Sequence, residues 1–177
     1  GISYKDEQTI NISDYIQSVL SKTGDLKILL EPGRAIVGNA GIFVTQVEYL
    51  KRNSIKSFAI VDGAMNDLMR PSLYGAYHKA VVVKENPDGI EDTWDLVGPV
   101  CETGDFLAKD RELRLNQGDY IAMMSAGAYG FALSSNYNTR PRVAEVMVAG
   151  NRHALVRRRE EVKSLFENEC FLDEESD

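Results

Sequence analysis

The chain has 177 residues, 44% of them hydrophobic and 27% charged, a balance that suits a core-forming globular protein rather than a disordered one. A formal net charge of −7 argues against a general nucleic-acid binder, and no apolar run approaches the length of a membrane span. Two distant cysteines, Cys101 and Cys170, make no disulfide framework, so the expected compartment is the reducing cytoplasm.

The opening "GISYKDEQTI" lacks the basic-then-apolar order of a secretory signal and carries no initiating methionine. It reads as the continuation of something longer. "NISDYIQSVLSK" (11–22) spaces Ile12, Tyr15, Ile16, Val19 and Leu20 at helical intervals, with Asn11 or Ser13 as N-cap and Gly24 to end the helix. "LKILL" (26–30) reads as a short buried strand, so this first segment has the helix–turn–strand pattern of a parallel α/β unit. After Gly38–Gly41 the texture changes. Strands are expected at 42–50, 57–62, 79–84, 93–98, 111–115 and 119–125, and a hairpin over 143–158, all rich in β-branched and aromatic residues. This density of short strands predicts an antiparallel sandwich or barrel. The arginines at 152–159 read as a solvated strand end, followed by a short closing helix over 160–169 and the acidic tail "DEESD".

Four stretches could carry chemistry. "EPGR" (31–34) lies just past a predicted strand, where Pro32 fixes the backbone, Gly33 opens the main chain to an anion and Arg34 can fork onto a carboxylate or phosphate; the plain alternative is a tight turn with a surface arginine. "DGAMNDLMRPSLYGAYH" (62–78) is a polar, aromatic segment in which Arg70 could hold a carboxylate and Tyr74 donate a hydrogen bond, or whose Asp and Asn side chains could simply staple a loop. His78 has no second ligand at metal spacing and reads as structural. In "GPVCETGD" (98–105), the carboxylate of Glu102 beside Cys101 favours a protonated thiol, suited to proton donation rather than to nucleophilic attack; the alternative is a quiet loop cysteine. "SAGAYGFALSSNYNTRP" (125–141) surrounds Tyr129 with small residues that permit close approach, or forms only a β-corner.

In this order, the four stretches and the "RRRE" that opens the final helix resemble the C-terminal part of the diaminopimelate decarboxylases, in the alanine-racemase-like group of pyridoxal-phosphate enzymes, from about Ile12 to Glu169. The resemblance implies a mainly β fold: residues 1–40 as the last units of a cofactor-holding (β/α)8 barrel, and 41–177 as a C-terminal antiparallel β domain of sandwich or Greek-key barrel type with a short closing helix. It implies decarboxylation of meso-2,6-diaminopimelate to L-lysine. It further implies Glu31, Pro32, Gly33, Arg34 and Tyr129 at the pyridoxal 5'-phosphate, and Arg34, Arg70, Tyr74, Glu102 and Tyr129 at the substrate. Cys101 resembles the proton donor, in a loop that crosses into the second subunit of a homodimer. The lysine that anchors the cofactor is not in this chain, so a missing barrel portion and an inactive isolated fragment are expected. A decarboxylase of carboxynorspermidine or D-ornithine, or a non-catalytic dimerisation module, are the other readings.

Overall fold

The computed structural model describes residues 1–5 and 11–172, so the acidic tail lies outside the described residues. Helix α1 (Ile12–Thr23) begins where expected, because the Asn11 side chain accepts hydrogen bonds from the N–H groups of Ser13 and Asp14 at 2.9 and 3.4 Å. Gly24 ends it with a φ of 54°, a left-handed value open to glycine. No residue of α1 is buried.

The expected strand at 26–30 does not form. Those residues run as an extended segment without a ladder partner, and Leu26, Leu29 and Leu30 are exposed. An apolar run becomes a strand only when another strand accepts its hydrogen bonds, and none among the described residues does so. Ile28 and Leu30 line one apolar cleft with Tyr15, Ile16, Val19 and Leu20 of α1.

The rest is built on one six-stranded, barrel-like sheet: β1 (Phe43–Arg52), β2 (Ser57–Val61), β3 (Ala80–Val82), β4 (Ile90–Val97), β5 (Phe106–Leu115) and β6 (Tyr120–Met123), in the order β3-β6-β1-β2-β4-β5. Alternation is clear in β2, where Ser57, Ala59 and Val61 point inward. The core gathers Val47, Val61, Leu68, Trp94, Leu96, Leu107, Leu115, Ile121 and Met123, and the buried Trp94 indole donates to the Leu113 carbonyl at 3.0 Å. The sheet is not wholly antiparallel, because β2 and β4 run parallel. The link between them carries α2 (Arg70–Tyr74) and β3.

β5 is twice as long as the sequence pattern suggested. Its first half is disguised by a bulge at Asp110, whose φ is 54° and whose N–H donates to the buried carboxylate of Asp95 at 2.9 Å. Asp95 is balanced by Lys56. The separate hairpin β7 (Glu145–Ala149) and β8 (Arg152–Arg157) turns at Gly150, φ 62°, as expected. The closing helix is a single 3-10 turn over Val162–Leu165, shorter than the α-helix that its spacing suggested. No helix among the described residues is long and apolar enough to cross a membrane.

Candidate active site

The loop leaving β2 is stapled by its own polar side chains. Asp62 accepts from the Thr45 hydroxyl at 2.6 Å and the Gln46 N–H at 2.8 Å, and Asp67 accepts from the Ala64 N–H at 3.0 Å. Burial pushes the Asp67 carboxyl above the usual carboxylate range, against the pull of the Ala64 N–H and of Arg140. Arg140 reaches in from the 125–141 segment, donating to the Asn66 side chain at 2.9 Å and the Asp62 carbonyl at 2.6 Å. Asp62, Asn66 and Asp67 therefore shape the loop.

What they position is α2. Its first residue, Arg70, is buried, with Nη1 3.1 Å from Nε2 of His78 and the guanidinium carbon 4.5 Å from the centroid of the Tyr4 ring. Gly75, φ 60°, ends the helix, and Tyr74 stands exposed on its last turn. Among the described residues, no carboxylate lies within salt-bridge distance of Arg70. A guanidinium removed from water whose partners among the described residues are all neutral is poised for an anion.

Arg34 approaches the same Tyr4 ring at 5.8 Å, also without an ion-pair partner among the described residues. Its turn is held by hydrogen bonds from Ile36 N–H to the Gly33 carbonyl (3.2 Å) and from Gly38 N–H to the Arg34 carbonyl (2.8 Å). Glu31, Pro32, Gly33 and Arg34 are all exposed. A Cβ on Gly33 would sit 3.2 Å from the Tyr129 hydroxyl, so the "EPGR" turn and Tyr129 face one another.

Tyr129 is carried by a strained corner. It has φ 61°, and Ser125, four residues earlier, has φ 58°. The corner is pinned to the 38–41 segment by Ala126 N–H to Gly41 O (2.8 Å) and Gly127 N–H to Gly38 O (3.0 Å). A Cβ on Gly127 would lie 2.0 Å from the Val37 carbonyl oxygen, so only glycine fits there. The small residues expected around Tyr129 thus serve backbone-to-backbone packing that aims the tyrosine at Gly33. The hydroxyl of Tyr4, whose ring both arginines approach, is buried and has no hydrogen-bond partner among the described residues. Together these donors suit a phosphate or carboxylate.

The Cys101 loop is a second cluster. Asp105, 4% exposed, accepts from the Met65 N–H and the Val100 N–H, each at 2.7 Å, and the Ser72 hydroxyl donates to the Gly104 carbonyl. A Cβ on Gly98 would collide with the Asp105 carboxylate at 2.3 Å. The stapled loop leaves Cys101 and Glu102 exposed at its tip. The Tyr137 hydroxyl donates to Glu102 at 2.8 Å, and that bond, more than any other influence, raises the phenol above its ordinary range. Cys101 adds a smaller push in the same direction.

Thus α2 anchors both clusters, with Ser72 toward the cysteine loop and Arg70 toward Tyr4 and His78. Among the described residues, no hydrogen bond or ion pair joins Cys101 or Glu102 to Arg34, Arg70 or Tyr129. Tyr137, Asp105 and Arg140 escaped the sequence reading. The one available clue to Asp105 was its place directly after Gly104, closing the loop. No metal-holding group of three His, Cys, Asp or Glu occurs among the described residues.

The barrel-like sheet thus carries, beside a glycine turn, two arginines with no carboxylate partner among the described residues, and a separate loop bearing a thiol and a carboxylate. Residues 9–127 match the family described as "Pyridoxal-dependent decarboxylase, C-terminal sheet domain", and the chain belongs to that family. Within it, the diaminopimelate decarboxylase of Vibrio cholerae is 54% identical, over 98% of this chain and 42% of its own length. Among solved structures, diaminopimelate decarboxylase from Helicobacter pylori complexed with L-lysine superposes with a TM-score of 0.85 at 43% identity, covering 94% of this chain and 41% of that one. The diaminopimelate decarboxylase structure from M. jannaschi gives 0.89 at 31% identity, covering 98% and 42%. The chain therefore spans about two fifths of the length of these relatives.

Proposed function

We propose that this chain is the C-terminal portion of an enzyme that decarboxylates meso-2,6-diaminopimelate to L-lysine and CO2 with pyridoxal 5'-phosphate. The observation that carries the reading is the pair of guanidinium groups, Arg34 and Arg70, gathered on Tyr4 without a carboxylate partner among the described residues. A substrate with two amino-acid ends supplies the anions such a pair lacks. The likeness to diaminopimelate decarboxylases adds to this support.

The donor set fits the cofactor. Gly33 offers main chain without a side chain in the way, beside the Tyr129 hydroxyl and Arg34. These residues, with Glu31 and Pro32 fixing the turn, would hold the phosphate. When bound, the cofactor supplies the electron sink that makes loss of CO2 from an amino acid feasible. Arg34 also meets a substrate carboxylate, Arg70 holds the distal carboxylate by a planar fork, Tyr74 donates a further hydrogen bond, and Glu102 accepts from the distal ammonium. Tyr137 keeps Glu102 turned toward that task. Once CO2 has left with its bonding electrons behind on carbon, the Cys101 S–H gives its proton to that carbon.

In this reading residues 1–40 complete a barrel and 41–177 form the sheet domain. The exposed apolar side chains of α1 and of Leu26, Leu29 and Leu30 support that division, as surfaces suited to packing against the rest of a barrel. The exposed cysteine loop, which no hydrogen bond or ion pair among the described residues joins to the cation cluster, supports a homodimer in which Cys101 and Glu102 serve the partner's site. The exposed, unpaired thiols fit a reducing cytoplasm.

The test is product analysis with the complete gene product and cofactor. Meso-diaminopimelate should yield equimolar CO2 and L-lysine, in preference to D-ornithine and carboxynorspermidine. No CO2, or faster turnover of either alternative, would overturn the assignment.

A further inference from the structure

The feature that the proposed reaction leaves unused is His78. It is fully buried, lies just before β3, and is one of only two histidines in the chain. Its Nδ1 is 2.8 Å from the Met124 carbonyl oxygen and its Nε2 is 3.1 Å from Nη1 of Arg70. A carbonyl can only accept and a guanidinium can only donate, so a single protonation state satisfies both: Nδ1–H given to Met124, and the Nε2 lone pair turned to Arg70. Burial, helped by the Arg70 charge, lowers the imidazole below its ordinary range and opposes the doubly protonated ring that would repel Arg70. The edge of the ring packs on Tyr4 at 5.1 Å and 71°.

We infer that His78 is a positioning residue that fixes the fork of Arg70 for the substrate's distal carboxylate, and couples it to the corner that carries Tyr129. The inference rests on the reading of Arg70 as that carboxylate's ligand. Arginine has a long, flexible stem, and a fork held at one Nη1 loses less freedom when the anion arrives. Met124 is the residue between β6 and Ser125, where the strained corner starts. A shift of the imidazole would therefore be felt at both ends of the anion site.

The experiment uses the complete enzyme with pyridoxal phosphate and meso-diaminopimelate. His78→Asn keeps a donor for Met124 but is too short to accept from Arg70, whereas His78→Gln can carry an oxygen to the position of Nε2. The Asn variant should raise KM about tenfold, the loss of one charge-assisted hydrogen bond, with kcat within about twofold. Gln should restore KM to within about threefold, and Arg70→Ala/His78→Asn should be no worse in KM than Arg70→Ala alone. Arg70→Ala raising KM while His78→Asn does not, or the two effects multiplying in the double variant, overturns the role of His78 alone. Arg70→Ala leaving KM unchanged overturns the reading of Arg70 beneath it. Should the Asn variant fail to fold, Gln still decides, because a KM as poor as that of Arg70→Ala contradicts the inference.

Discussion

Cys101 is an exposed thiol, and its neighbours suit the proposed role of proton donor. Glu102 is adjacent in sequence and Tyr137 joins them across the surface through a 2.8 Å bond to that carboxylate. A proton donor must be in its protonated form beside the carbon it serves, and removing it should slow the chemical step more than it loosens binding. Cys101→Ala in the complete enzyme is expected to lower kcat about 100-fold or more with KM within a few-fold, checked by steady-state CO2 release. Unchanged turnover would remove Cys101 from the chemistry. At this scale the sequence was informative where partners are neighbours. Cys101 and Glu102 are adjacent, and Arg34 follows Gly33, so each pair could be singled out as a candidate from the sequence alone. The Tyr137–Glu102 bond and the Arg70–His78 contact were not readable, because each depends on how distant segments cross. His78 looked structural by itself, and became of interest only when its two ring nitrogens were seen to have different partners.

The elements matter through two devices, a stapled loop and a strained corner. Asp105 holds the 98–105 loop by taking N–H bonds from Met65 and Val100, which leaves the tip free to project. Asp105→Ala would strand both donors, and the expected cost is about 3 kcal/mol or more, seen as a lower midpoint in chemical denaturation. A variant as stable as the wild type would show that the loop does not depend on this carboxylate. Strand existence was legible from the density of β-branched and aromatic residues, as in β2, and the β7–β8 hairpin from its Ala-Gly-Asn-Arg turn. The misses have physical causes. Lys109 and Asp110 mark the bulge that hid the first half of β5, and the Asp110 backbone bends there to reach Asp95. "LKILL" has the composition of a buried strand, but composition cannot provide a neighbouring strand to pair with. The parallel pairing of β2 with β4 arises from a long connection, and no local pattern records it.

Across the whole molecule, the candidate site residues fall into two groups with no hydrogen bond or ion pair between them among the described residues: Arg34 and Arg70 at Tyr4, with Tyr129 facing Gly33, and Cys101 with the Tyr137-bonded Glu102 at an exposed loop tip. In the proposed two-fold homodimer, each tip would complete the other subunit's cation site. Co-expressing complete chains that carry either Cys101→Ala or Arg34→Ala tests this directly. Each variant alone should be nearly inactive. In a mixed dimer one site inherits both substitutions and the other neither, so random pairing should restore about a quarter of wild-type decarboxylation of meso-diaminopimelate. Activity no higher than that of the separate variants would contradict the account, because it would mean that Cys101 and Arg34 act within one subunit or do not share a site.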